Sequence, residues 1–145
     1  MTDFHYPIKD NHYRIIDGDT VEVALDLGFG IVKTVKLRIL GIDTPEKRTR
    51  NQLEKQAGYL VTRCAEVWFN HWDMSEVQLY ATSEEKPKYA GRIVGRLMCS
   101  ESDQELGAWM RTTGFARTYY GGKKKAWSNV ALKRIIKTAK ELLGD

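Results

Sequence analysis

Hydrophobic and polar residues alternate from Thr20 to Asp26, with Val21, Val23 and Leu25 on one face and Thr20, Glu22, Ala24 and Asp26 on the other. A period of two is the mark of a strand with one buried side. A short strand over Tyr13 to Ile16 precedes it, joined by Asp17-Gly18, a pair that tolerates the positive φ of a tight hairpin. After the Leu27-Gly28-Phe29-Gly30 turn, a third strand is expected from about Ile31 to Ile42. Val35, Leu37 and Ile39 share its apolar face, and Thr34, Lys36 and Arg38 project from the other. A fourth strand is expected over Glu76 to Ala81. A fifth opens at Arg92, with Ile93, Leu97 and Cys99 facing one way and Arg92, Val94, Arg96 and Met98 the other.

Between the third and fourth strands the period lengthens to that of a helix, through Leu53, Ala57, Leu60, Val61, Cys64, Val67 and Trp68. Asn51 followed by Glu54 reads as its capping box. Trp68, His71 and Trp72 read as core and edge packing. Ser102 and Glu105 suggest a second box, opening a short helix that buries Leu106, Trp109 and Met110 and stops at Gly114. A third helix, Ser128 to Leu143, places Leu132, Ile135, Ile136, Ala139 and Leu142 on one face. Residues 1–11 carry little pattern and are expected to form an N-terminal arm, leaving 12–145 as a single domain. Five short strands interrupted by a helix and followed by more helix predict an α+β chain, a five-stranded Greek-key OB-fold β-barrel with three helices.

Composition narrows the class. The 145 residues, 42% of them hydrophobic, suffice for one core without disulfide or structural metal. Cys64 and Cys99 are therefore expected as buried thiols. The net charge of +4 leans towards anionic partners, through clusters at Lys47-Arg48-Arg50, Lys86 and Lys88, Lys123 to Lys125, and the polar face of the third helix. Each cluster is either a solvated surface or part of a binding face, depending on what converges on it. No basic segment leads into an apolar run at the start, and no stretch is long enough to span a membrane. The expectation is a cytoplasmic protein with no membrane partner, unless a leader has been removed.

Candidate chemistry concentrates in Arg38-Ile-Leu-Gly-Ile-Asp43-Thr44-Pro45-Glu46. A guanidinium and two carboxylates at a strand end suit a metal and phosphate site; equally, Asp-Thr-Pro is an ordinary turn. If the second strand already begins at Asp19, that residue points to the same side as Val21 and Val23, and a carboxylate ending an apolar face needs a cation or several donors; otherwise it is a hydrogen-bonded turn aspartate.

Ile16-Asp-Gly-Asp-Thr20, Leu37 to Glu46, and Gly91-Arg92 at the fifth strand, in this order and spacing, resemble the signature segments of the staphylococcal nuclease (thermonuclease) family. The likeness runs from about Tyr13 to Leu143. It implies a nuclease that acts with Ca²⁺ on DNA and RNA, with little sequence preference, as a monomer, leaving 3′-phosphate ends. Asp19, Asp43 and the Thr44 carbonyl would hold the metal, Glu46 would position and activate water, and Arg38 and Arg92 would bind the scissile phosphate. Lys88, Tyr89, Tyr119 and Tyr120 would contact the substrate. Tyr89-Ala90-Gly91-Arg92 carries one residue more than the family's usual Tyr-Gly-Arg, and Arg96 on the same strand face competes with Arg92. A non-catalytic OB-fold module that binds nucleic acid or protein is the alternative.

Overall fold

The computed structural model describes residues 4–73, 79–83, 92–100 and 104–145. A closed barrel is formed by β1 (Phe4–Asp17), β2 (Thr20–Asp26), β3 (Val32–Ile39), β6 (Arg92–Cys99) and β5 (Leu79–Ser83), in that order around its wall. Neighbours are antiparallel except β3 and β6, whose parallel pairing sets Lys36 against Arg92 and Arg38 against Val94. The chain is thus the five-stranded barrel with helices that the strand pattern predicts. The inward residues of β2 and β3, Val21, Val23, Leu25, Val35, Leu37 and Ile39, are all buried, joined from β5 and β6 by Leu79, Ala81, Leu97 and Cys99.

Several details differ from expectation. Phe4 to Asn11, read as an arm, belong to β1. Phe4 to Pro7 pair with β5, and Ile8 is buried opposite Leu25. A register shift between Ile8 and Tyr13, with Asp10 and Asn11 at positive φ, breaks the alternation that would have revealed the strand. The third strand divides at Leu40 into β3 and β4 (Gly41–Asp43), and β4 pairs with β7 (Arg117–Tyr119) in a small second sheet. In the first hairpin Asp17 pairs with Thr20, so Gly18-Asp19 is the turn. A Cβ on Gly18 would meet Val61 Cγ1 at 2.6 Å and Thr44 Oγ1 at 3.0 Å, so close approach to these side chains calls for glycine there. A further difference concerns Arg38, which is buried.

Helix α1 (Gln52–Asp73) starts where expected: Asn51 Oδ1 accepts from the N–H of Leu53 at 3.0 Å and of Glu54 at 3.1 Å. Its apolar face packs on β1 and on α3 (Asn129–Leu143), with Tyr13 stacked on Phe69 at 3.9 Å. Each such side chain buried contributes about 1.5–3 kcal/mol, which fixes the helix on the barrel. Ser128 caps α3 through the Ala131 N–H; Leu142, expected inside, is exposed. Helix α2 (Leu106–Thr113) ends at Gly114 as predicted, but Glu105 is its N-cap residue and makes no side-chain cap bond. Ser102 lies outside the described residues. Both cysteines are buried free thiols, and burial pushes the Cys64 pKa up to about 11. Among the described residues no helix is long and apolar enough to cross a membrane.

Candidate active site

The β1–β2 turn, the end of β3, β4 and the segment after β7 converge at one end of β2. Asp19 sits in the turn. Its Oδ2 accepts from the N–H and the hydroxyl of Thr44, each at 3.2 Å, and its Oδ1 accepts from the Thr20 hydroxyl at 3.0 Å. These bonds tie the hairpin to the Asp43-Thr44-Pro45 segment, so Asp19 and Asp43 become neighbours although far apart in sequence.

Arg38, expected to project away from the apolar side, is only 9% exposed. Its Nη1 donates to the Ile39 carbonyl at 3.0 Å, and its Nη2 lies 3.6 Å from Asp19 Oδ2. The outward face of a barrel strand is normally wet, but here the turn covers it, and a buried guanidinium is tolerated because acceptors meet it. Asp43 is 1% exposed. Its Oδ2 accepts from Arg117 Nε at 2.9 Å. Its Oδ1 has no hydrogen bond; Lys124 Nζ lies 3.2 Å away, near enough for an ion pair but not aligned for a bond.

Glu46 is half-exposed, with Lys124 Nζ 3.8 Å from its Oε1. Helix α1 fixes its backbone. Its N–H donates to Glu54 Oε2 at 2.9 Å, so Glu54 serves Glu46, and Asn51 directs its own N–H to Thr49. Gly58 receives the Glu46 carbonyl: a Cβ there would lie 2.6 Å from that oxygen and 2.9 Å from the Lys47 nitrogen. Gly58→Ala should therefore destabilise the protein. Alanine gains about 1 kcal/mol in helix propensity, but overpacking against rigid backbone costs about 1–3 kcal/mol. A lower urea midpoint is expected, and an equal or higher one would show that α1 and the Glu46 loop are not locked together.

Carboxylates crowd this end of the barrel. Burial raises the pKa of Glu46, and Asp19, Asp17 and Asp43 raise it further against the lowering by Lys124. Burial and then Asp19 raise that of Asp17, opposed by Lys47, Arg48 and Arg38. Asp17, read only as a turn residue, thus belongs to the site. So do Lys124, which the sequence suggested only as a member of a basic run, and Arg117, which it did not single out. Among the described residues no group of three His, Cys, Asp or Glu side chains is drawn together as a metal cluster. Oxygens of the kind a hard cation takes are nonetheless present: Asp43 Oδ1, a buried acceptor that no hydrogen bond satisfies, and Asp19, bonded to Thr44, the residue after Asp43.

Two cavities meet here. One, of about 430 Å³, is lined by Asp17, Asp19, Arg38, Glu46, Arg92 and Lys124 among others. The adjoining one, of about 270 Å³, is lined by Arg38, Gly41, Arg92, Tyr119, Tyr120 and Lys124 among others. Arg92 borders both. Arg96 borders neither and lies 3.7 Å from Glu105. Tyr119 donates its hydroxyl to the Gly122 carbonyl at 2.6 Å, whereas Tyr120 is 72% exposed. Lys88, Tyr89, Ala90 and Gly91 lie outside the described residues.

The fold and site together are a five-stranded oligonucleotide-binding-type barrel that carries carboxylates and arginines at one strand end. Residues 36–142 match the family model described as staphylococcal nuclease homologue, and the chain belongs to that family. Asp17 and Asp19 precede the matched span and join the site through the β1–β2 hairpin. No curated protein matches the chain.

Proposed function

We propose that this protein is a calcium-dependent nuclease that hydrolyses phosphodiester bonds of DNA and RNA, as a monomer and with little sequence preference. The observation that carries the reading is the meeting of Asp19, Arg38, Glu46 and Arg92 around one cavity, whose Lys124 is ion-paired with the buried Asp43. Asp19, Asp43 and the Thr44 carbonyl would hold Ca²⁺, which when bound supplies positive charge to a phosphate oxygen and lowers the pKa of nearby water. Glu46 takes the proton of the attacking water. Arg38 and Arg92 hold the phosphate and meet the charge that builds on its oxygens. Water adds to phosphorus, the bond to the 5′ oxygen breaks, and a 3′-phosphate remains. Tyr120 offers an exposed ring to a base, a contact worth about 1–3 kcal/mol; Lys88 and Tyr89 are further expected substrate contacts.

End-group analysis of cleaved single- and double-stranded DNA and of RNA tests this chemistry. Products with 3′-phosphate and 5′-hydroxyl ends are expected; 5′-phosphate ends would overturn the assigned leaving group. The competing reading is a non-catalytic nucleic-acid-binding barrel. In its favour, Asp43 is already ion-paired with Arg117 and Lys124. Oligonucleotide binding without cleavage in Ca²⁺ would select it.

A further inference from the structure

Lys124 stands where two negative groups of the site meet, its Nζ 3.2 Å from Asp43 Oδ1 and 3.8 Å from Glu46 Oε1. Asp43 Oδ1 is the oxygen that no hydrogen bond claims. The loop carrying Lys124 is held on both sides of it. Before it, the Tyr119 hydroxyl bonds to the Gly122 carbonyl. After it, Arg117 Nη2 donates to the Lys125 carbonyl, while Arg117 also bonds Asp43 Oδ2 and lies 3.9 Å over the Trp127 ring. Arg117 thus fixes the loop and the carboxylate to each other, which delivers Lys124 to that carboxylate. The neighbouring Lys123 and Lys125 are exposed.

We propose that Lys124 is a tethered counterion that competes with the divalent cation for Asp43 and Glu46, and so sets the cation concentration at which the site fills. The inference rests on the cation-dependent reading above. A lysine ammonium and a hard divalent ion seek the same carboxylate oxygens, and both cannot occupy the oxygen of Asp43 that lacks a hydrogen bond. Without the cation, Lys124 adds its charge to that of Arg117 at Asp43 and extends it to Glu46. When the cation enters, the Lys124 ammonium can swing out to solvent. Its side chain is 40% exposed, so it leaves without opening the fold.

Calorimetric titration of Ca²⁺ into the full chain, without nucleic acid, tests the proposal. Lys124→Met should bind Ca²⁺ on the order of tenfold more tightly than the unmodified protein, because the cation no longer has to displace an ammonium paired with the same carboxylate. Lys123→Met, which removes the same charge from the same loop, should change affinity by less than about twofold because an exposed, displaced charge is screened. Unchanged or weaker binding by Lys124→Met overturns the proposal, as does equal tightening by both variants, which would mark a general field effect. Absence of Ca²⁺ binding in all three proteins would overturn the metal reading itself, and this inference with it.

Discussion

Glu46→Gln should lower the rate of DNA cleavage by about 10²–10⁴-fold, the usual contribution of a positioned general base, and leave oligonucleotide affinity nearly unchanged. The substitution keeps the shape of the side chain and the backbone N–H that Glu54 holds, so the loop stays in place. What goes is the capacity to accept a proton. The raised pKa of Glu46 in the free protein makes it a stronger base than an ordinary carboxylate, through burial first and Asp19 second. Base function is present above that pKa and lost as pH falls through it. A bound divalent cation would pull the value back down, so the acid limb of the cleavage profile should move to lower pH as calcium rises. Single-turnover rates over a pH series measure both effects. Cleavage by Glu46→Gln at the unmodified rate would remove Glu46 from the chemistry.

Arg38→Ala should lose about 10²–10³ in cleavage rate, the typical effect of removing one preorganised donor to developing charge. It should also lower the melting temperature, because the guanidinium is buried between the Ile39 carbonyl and Asp19. Leaving Asp19 without that partner exposes the cost of a buried charge. Arg38→Lys separates the two effects. A lysine restores the charge beside Asp19 but has no planar fork to meet two oxygens at once. Stability should therefore recover more than activity does. Equal recovery of both would show that Arg38 acts through charge alone.

The barrel was legible because its central strands obey a period of two over Val21 to Leu25 and Val35 to Ile39, with each inward residue buried as the pattern required. Helix α1 was legible for the same reason at a longer period, and from Asn51 at its start. The first half of β1, Phe4 to Asn11, was hidden. Its alternation is interrupted by Lys9-Asp10-Asn11, where the register shifts, and a local pattern cannot report a pairing with distant β5. Strand β7 is three residues long, too short for any period.

The site divides along the same line. Arg38, Asp43 and Glu46 were visible as chemistry packed into one stretch, and Asp19 as a carboxylate out of place on an apolar face. The burial of Arg38 was not visible, since a distant turn covers it. Lys124 and Arg117 gave no local signal. A lysine in a run of three reads as solvated surface, and only the pairing of Asp43 with Arg117 across β4 and β7 brings that run to the carboxylates. Asp17 was masked by its own plausibility as a turn residue. Glu54, read as the return half of a capping box, holds the Glu46 N–H instead, a partner that local spacing could not show.

The central claim is that this end of the barrel cleaves phosphodiester bonds only with a divalent cation between its carboxylates. Its most direct test is the cleavage rate of a labelled single-stranded DNA, measured with Ca²⁺, with excess chelator, and after Ca²⁺ is restored. Cleavage is expected in Ca²⁺, none in chelator, full recovery on restoration, and poor support by Mg²⁺, which demands a tighter octahedral shell. Undiminished cleavage in chelator would contradict the central claim.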